Sequence, residues 1–492
     1  MSTKVLLIGL DSADPHLLST WAAAGDLPAL RSLSAAGGSG ILKNEAYVAD
    51  QGAWAGLVTA VGPAKHGFTH HRQMFPGSYE TRSVRSDDLR AVPFWMQLSA
   101  QGRRVALIDT PRAPVATDLN GILLADWIVH PRLYRQTVSY PAELSAEIQA
   151  TYGTDSTAAA CEHRTEPLDL PTFVAGLEAG IRSKVRMVCD LLGREAWDLF
   201  AVTFKEAHCI GHHFWHVHDS GHPSHDPHVR QTFGDPLAQV YRATDDAIAA
   251  ILERVSAETT VMVFTTLGMG PNYTGNHLLD AVLLRLEEKP GTTSALRSVW
   301  RRVGYRARVR LWSRLRPFAQ RLRDSSLGGR SAFAVEYNEM AGAVVVNRRG
   351  RFPSGCVEPG AASDELCDFL QEELSRLVDA DDGTPIVDHV VRTKDFTDGP
   401  HRDVLPDLLV VWRRDRPIAS AASPRIGVVR GAYATRRSGS HTPDGMLLAR
   451  RLGIAPGTPI SGAQLMDIGP TVGALLGCQL DGLEGRPITA LA

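Results

Sequence analysis

Short aliphatic runs, spaced by longer stretches of mixed polarity, set the pattern of this chain. KVLLIGLD (4–11), VALIDT (105–110), DLFAVTF (198–204), TTVMVFTTLG (259–268) and DLLVVW (407–412) are each apolar for about the length of one buried strand. Between several of them lie segments with helical spacing of apolar positions, among them 171–194 and 235–254, and LPALRSLSAAG, a shorter helix closed by glycine. Strands alternating with helices predict an α/β protein whose mostly parallel sheet is covered by helices on both faces. In such sheets reactive side chains collect at the carboxyl ends of the strands. Asp11, which closes the first run, stands at such an end.

Composition narrows the classes. The 492 residues are 44% hydrophobic and 22% charged, enough apolar material for a large core. A formal charge of −2 gives no basis for bulk nucleic-acid binding. Six scattered cysteines (161, 189, 209, 356, 367 and 478) form no CxxC pair, which fits reduced thiols better than a disulfide framework. The start, MSTKVLLIGLDSADP, lacks a secretory pattern, and no apolar run reaches 18 residues, so a cytoplasmic protein without a transmembrane segment is expected. Ten arginines and no acid occupy 297–323. This stretch reads as a solvated helix in an insertion over 285–331, or as a contact surface for an anionic partner. The core is then expected over 1–284 and 332–492, with a candidate substrate-region insertion at about 112–170. No pattern in the chain sets an oligomeric state.

Candidate chemistry is densest in EAHCIGHHFWHVHDSGH (206–222), with six histidines and a glutamate. His208 and His212 are four apart, which on a helix puts both imidazoles on one face, as a metal pair requires; His212 and His216 share the spacing. The later His218, His222, His225 and His228 lie among glycine and proline and read as an exposed loop. A metal would need a third ligand from elsewhere. His441, in the glycine-flanked RSGSHTPDG (437–445), and Asp11 are the candidates. Trp54 in GAWAGLVTAVG fits core packing, and His66 in GPAKHG reads as fixing a loop. Asn272 in GPNYTGNH is a candidate substrate contact or a turn residue.

Six motifs together resemble the alkaline phosphatase superfamily, in its type I phosphodiesterase/nucleotide pyrophosphatase-like branch. They are VLLIGLDSADPHLL (5–18), AWAGLVTAVGPAKHG (53–67), WDLFAVTFKEAHCIGHHFWH (197–216), VMVFTTLGMGP (261–271), RSGSHTPDG (437–445) and DIGPTVGALLGCQLDGLEGRPI (467–488). The resemblance spans nearly the whole chain. It implies an alkaline phosphatase-like fold with a cap or insertion and a two-metal site for phosphoryl or sulfuryl transfer. One metal would fall to His208, His212 and His441, and the second to the positions of Asp11, Asp50, Thr266 and Leu267.

The departures from that pattern shape the expectation. Asp50 stands where the family places a hydroxyl nucleophile, and Thr266-Leu267 replaces a consecutive Asp-His; leucine ligates nothing. His208 replaces a carboxylate, so the first site becomes three imidazoles, with Glu206 as a fourth or outer group. Such a set favours zinc over magnesium among divalent metals. The expectation is one well-formed site, a second lacking its coordination sphere, and a small anionic substrate. A zinc ion with an open position acidifies water toward a pKa of about 7. Asp50 or Glu206 would then serve as general base, or Asp50 would attack directly. Thr266 and Asn272 are the candidate substrate contacts. The leading expectation is a metal-dependent hydrolase or transferase acting on a phosphate- or sulfate-type ester. Two alternatives follow from the altered positions: a biosynthetic metalloenzyme with non-hydrolytic chemistry, and a non-catalytic binding protein descended from such enzymes.

Overall fold

A computed structural model of the chain describes residues 4–44, 52–114, 118–127, 136–154, 168–287, 327–432 and 437–492. Asp50 and the arginine-rich stretch 297–323 lie outside the described residues. The chain forms two units, one of residues 1–71, 84–272 and 434–492, the other of residues 72–83 and 273–433. This division differs from the boundaries read in the sequence, which set apart only 285–331 and a candidate segment at 112–170.

The larger unit is built on a nine-stranded sheet. Its order is Thr458–Pro459, Gly38–Leu42, Gly445–Arg450, Thr260–Thr265, Val5–Leu10, Leu199–Phe204, Val105–Ile108, Gly121–Ala125 and Val138–Tyr140. The five strands from Thr260–Thr265 to Gly121–Ala125 run parallel. All residues of Val5–Leu10, Leu199–Phe204 and Thr260–Thr265 are buried, as parallel strands covered on both faces must be. Four of the five aliphatic runs therefore lie where alternation with helices predicted. Two strands of the 112–170 region, Gly121–Ala125 and Val138–Tyr140, extend this sheet.

Helices Leu170–Arg194 and Pro236–Leu252 pack over one face, their apolar stripes merging with Leu6, Ile8, Phe200 and Val202 in one core. Each starts at a clear signal. Asp169 accepts a hydrogen bond from the Thr172 amide and Asp235 from those of Leu237 and Ala238, with proline in the first turn of both. Such caps contribute about 1 kcal/mol each.

The fifth run, DLLVVW, is a strand but belongs to the second unit. Leu408–Trp412 lies between Ala341–Val346 and Val387–Arg392 in a four-stranded sheet and is antiparallel to both. An apolar run carries no mark of its partner's direction when both of its faces are covered. Helices Asn276–Glu287 and Ala361–Ser375 give this sheet its own core, with Leu278, Val344, Leu370 and Trp412 among its members.

Among the described residues, no helix is long and apolar enough to cross a membrane. Cys189, Cys209, Cys356, Cys367 and Cys478 are free thiols.

Candidate metal centre

The central strands end in register, Leu10 opposite both Phe204 and Thr265. Asp11, Lys205 and Thr266 therefore emerge at one edge. Immediately after Lys205 the chain turns into the helix Glu206–His218. Ala207, Cys209, Ile210, Phe214 and Val217 face the main core, which leaves His208 and His212 on the face toward a two-stranded ribbon. That ribbon pairs Gly268–Pro271 with Gly439–Thr442, antiparallel, with Met269 opposite His441. The helix departs from helical geometry only at Phe214 (φ −126°, ψ 20°), beyond both histidines, so their i, i+4 relation is intact.

Ribbon and helix touch at backbone distance. A Cβ on Gly439 would lie 2.1 Å from the Gly211 carbonyl oxygen, and one on Gly211 would lie 2.9 Å from Met269 Cγ. Only glycine at 439 permits the approach that brings His441 over the helix. Ser438 adds a clasp: its Oγ donates to the His213 carbonyl and lies 2.9 Å from His216 Nδ1.

The result is three buried imidazoles aimed at one point. His212 Nε2 is 3.1 Å from His208 Nε2 and 3.2 Å from His441 Nε2, and ligand atoms of all three lie within 4.8 Å of one another. His212 Nδ1 donates to the Gly439 carbonyl at 2.8 Å. A carbonyl only accepts, so the neutral ring carries its lone pair on Nε2, at the meeting point. Burial pushes the His212 pKa well below the ordinary histidine value, and the positive charge of Arg437 pushes it further; the Gly439 bond opposes them only in part. The ring is therefore held neutral, the form that binds metals. A tetrahedral zinc with bonds of about 2.0–2.1 Å separates its ligand nitrogens by about 3.3 Å. The residues fit such an ion. Among the described residues, no carboxylate joins this group.

The other predicted residues take different places. Asp11 does not join the three histidines: its Oδ1 accepts the indole N–H of Trp54 at 2.8 Å. Trp54 is also core, packed against Phe264 and so near the backbone that a Cβ on Gly9 would lie 2.9 Å from its ring. Thr266 is fully buried, and its carbonyl accepts from Asn44 at 2.6 Å. Asn272, read as a substrate contact or a turn residue, braces the ribbon through its amide, which donates to the Arg437 carbonyl at 3.1 Å. His218, His222 and His225, expected in an exposed loop, are half-buried. His218 ends the helix and pairs with Asp235 at 2.7 Å, and His225 donates to the His216 carbonyl at 2.8 Å; only His228 is exposed.

Glu206 calls for correction. Two residues before His208, it points about 200° away around the helix. It is fully buried in an ion network with Lys184 (3.4 Å), whose ammonium also meets Asp109 (2.9 Å), which in turn pairs with Lys205 (2.8 Å). A carboxylate so engaged is neither a fourth ligand nor a base facing the histidines. Burial opposes charge on Lys184, but the carboxylates of Glu206 and Asp109 more than offset it and raise its pKa.

Comparison with known proteins decides the family. Residues 5–425 match the model of the type I phosphodiesterase/nucleotide pyrophosphatase family. The chain belongs to that family. This places it among the phosphoester hydrolases of the alkaline phosphatase superfamily.

Solved structures share the family member's fold at low identity. A phosphonoacetate hydrolase from Sinorhizobium meliloti 1021 is 15% identical, with 97% of this chain and 96% of that one covered and a TM-score of 0.53. Murine ectonucleotide pyrophosphatase/phosphodiesterase 5 is 12% identical over 98% of each chain, TM-score 0.53. The alkaline phosphatase PafA is 13% identical, with 100% and 99% covered, TM-score 0.53. The search of curated proteins gave no match. In this phosphodiesterase-family chain Leu267 is 2% exposed, a packed apolar residue next to Thr266.

Sequence reasoning missed two contributors. Gly439 carried no signal beyond its place in RSGSHTPDG. Lys184 did carry one: it interrupts the apolar stripe Leu177, Ile181, Val188, Leu191, on the buried face of its helix.

Proposed function

We propose that the chain is a metal-dependent hydrolase or transferase of phosphate- or sulfate-type esters, using one cation held by His208, His212 and His441. The convergence of three Nε2 atoms, with His212 locked by Gly439 as a lone-pair donor, carries this reading. An all-nitrogen set of this size suits zinc. Such an ion with an open position polarises an ester oxygen and lowers the pKa of water.

The protein's own residues do the rest. The Gly439 carbonyl orients His212, and burial keeps the ring neutral and ready to donate its lone pair. Trp54 holds the Asp11 carboxylate at the same sheet edge, where it would face a second cation or a substrate proton. Asp50, outside the described residues, is proposed as the nucleophile or general base. The packed Leu267 favours a single cation over a pair. The substrate is proposed to be a small anion and the location cytoplasmic, in keeping with the free thiols.

Elemental analysis of the wild type and of His212→Ala tests the site, together with turnover of aryl phosphate, phosphodiester and sulfate esters. About one equivalent of metal, lost in the variant along with turnover, is expected. Undiminished metal in His212→Ala would remove the ligand set. Retained metal without turnover of any ester would redirect the reading to non-hydrolytic chemistry.

A further inference from the structure

The four buried charges at the start of the histidine helix face away from the proposed cation, yet they tie the first residue of that helix to the strand before it and to the end of a neighbouring strand. Lys184 Nζ donates to the Thr203 carbonyl at 2.9 Å, near the end of the strand that precedes the helix. It meets Asp109 Oδ2 at 2.9 Å, just past the strand Val105–Ile108, and Glu206 Oε1 at 3.4 Å, on the first residue of the helix. Lys205 closes the ring on Asp109 Oδ1 at 2.8 Å, and the Trp127 amide donates to the same oxygen. Lys184, Asp109 and Glu206 have side chains with no exposure at all. Two basic side chains face two carboxyl groups, and burial raises the pKa of Glu206 against the pull of Lys184.

Such a network is poor evidence for stability. Removing charges from water costs several kcal/mol per ion, and well-packed apolar replacements are often as stable. What it supplies here is direction. We propose that Lys184 is a positioning residue for the three-histidine centre, fixing the rotation of the Glu206–His218 helix about its own axis. Glu206 is held on the sheet side, and the opposite face, about 200° round, presents His208. An imidazole Nε2 stands roughly 7 Å from the helix axis, so a rotation of about 10° displaces it by about 1 Å. Metal–ligand distances tolerate only about 0.2 Å. The inference rests on reading the histidines as a cation site.

The test is a Co2+ titration followed by visible absorption, run beside thermal unfolding, on the full chain and two variants. Lys184→Met with Glu206→Gln removes one basic and one carboxyl group and leaves the Lys205–Asp109 pair. Asp245→Ala removes the acceptor for the Ala29 and Leu30 amides, at the start of a helix elsewhere in the unit. Expected is a loss of about tenfold or more in Co2+ affinity, with an altered absorption band, in the double variant. Asp245→Ala should unfold at lower temperature yet bind Co2+ like the wild type. Should the double variant fail to fold, Glu206→Gln alone, which leaves Lys184 its other two partners, is expected to weaken Co2+ binding. Wild-type affinity in whichever of these variants folds overturns the positioning role. A wild type that binds no Co2+ overturns the cation site itself and the inference with it.

Discussion

The Gly439 carbonyl accepts the Nδ1 proton of His212 at 2.8 Å, while its own α-carbon has no room for a methyl group. Orientation of one ligand and delivery of another, His441, thus depend on the same backbone approach. Gly439→Ala would drive a Cβ to 2.1 Å from the Gly211 carbonyl oxygen. The ribbon must then withdraw, and backbone cannot yield as a flexible side chain can. A cost of about 1–3 kcal/mol is expected, as for other overpacked sites, with loss of most zinc affinity. Urea unfolding and zinc titration by competition with a chelator would check both. Zinc binding at the wild-type level would show that the close contact is dispensable.

Trp54→Phe keeps the ring against Phe264 but removes the N–H that holds Asp11. Withdrawing a donor from a buried carboxylate costs roughly 1–3 kcal/mol. The loss should therefore exceed that of a simple aromatic exchange. Asp11→Asn in the Trp54→Phe background should recover part of it, since an amide is cheaper to bury than a carboxylate. A double-mutant cycle by chemical denaturation measures the coupling, and additive effects would dismiss it.

How far the centre could be read in advance depended on the range of each signal. Four aliphatic runs gave the parallel strands, because burial on both faces is written locally as an unbroken apolar stretch. The i, i+4 spacing of His208 and His212 was equally local. His441 was one loop candidate for a third ligand, and only the family resemblance assigned it to the first metal; its arrival over the helix depends on Gly211 and Gly439 meeting 228 positions apart, and periodicity carries nothing of that kind. Glu206 misled for the same reason. Beside the histidines in sequence it looked like one of them, whereas two helical residues turn a side chain to the far side. DLLVVW read correctly as a strand and wrongly as part of the main sheet, since partner choice is a tertiary matter.

Neutral imidazoles bind metal and protonated ones do not. Because burial, then the Arg437 charge, hold His212 well below the usual histidine pKa, protons compete poorly for its lone pair. Zinc should therefore stay bound as the pH is lowered through 6.5, where an exposed histidine site begins to release it. Arg437→Gln removes a positive charge that repels a dication at that lone pair more strongly than it repels a proton, so its release should begin at a lower pH than in the wild type. Dialysis against buffers of stepped pH, followed by elemental analysis, gives the two profiles. Coincident profiles would dissociate Arg437 from the centre.

Acid should also weaken the fold at a second histidine, outside the centre. His66 is buried, and its Nδ1 accepts the Phe68 amide proton at 3.1 Å, a bond that protonation would abolish. Burial pushes its pKa down from 6.5 to about 3. Above pH 6.5 neither the folded nor the unfolded chain carries a proton there, and stability is unaffected. Between pH 6.5 and about 3 the unfolded chain takes up a proton that the folded one refuses. Stability then falls by about 1.4 kcal/mol per pH unit, and near pH 3 the loss levels off. Between pH 7 and pH 5 the contribution is about 2 kcal/mol. His66→Asn keeps an acceptor for the Phe68 amide without a titratable ring. Its urea stability should therefore drop less over that interval, by about the same 2 kcal/mol. Parallel stability–pH curves for the two proteins would mean that His66 titrates normally in the folded state.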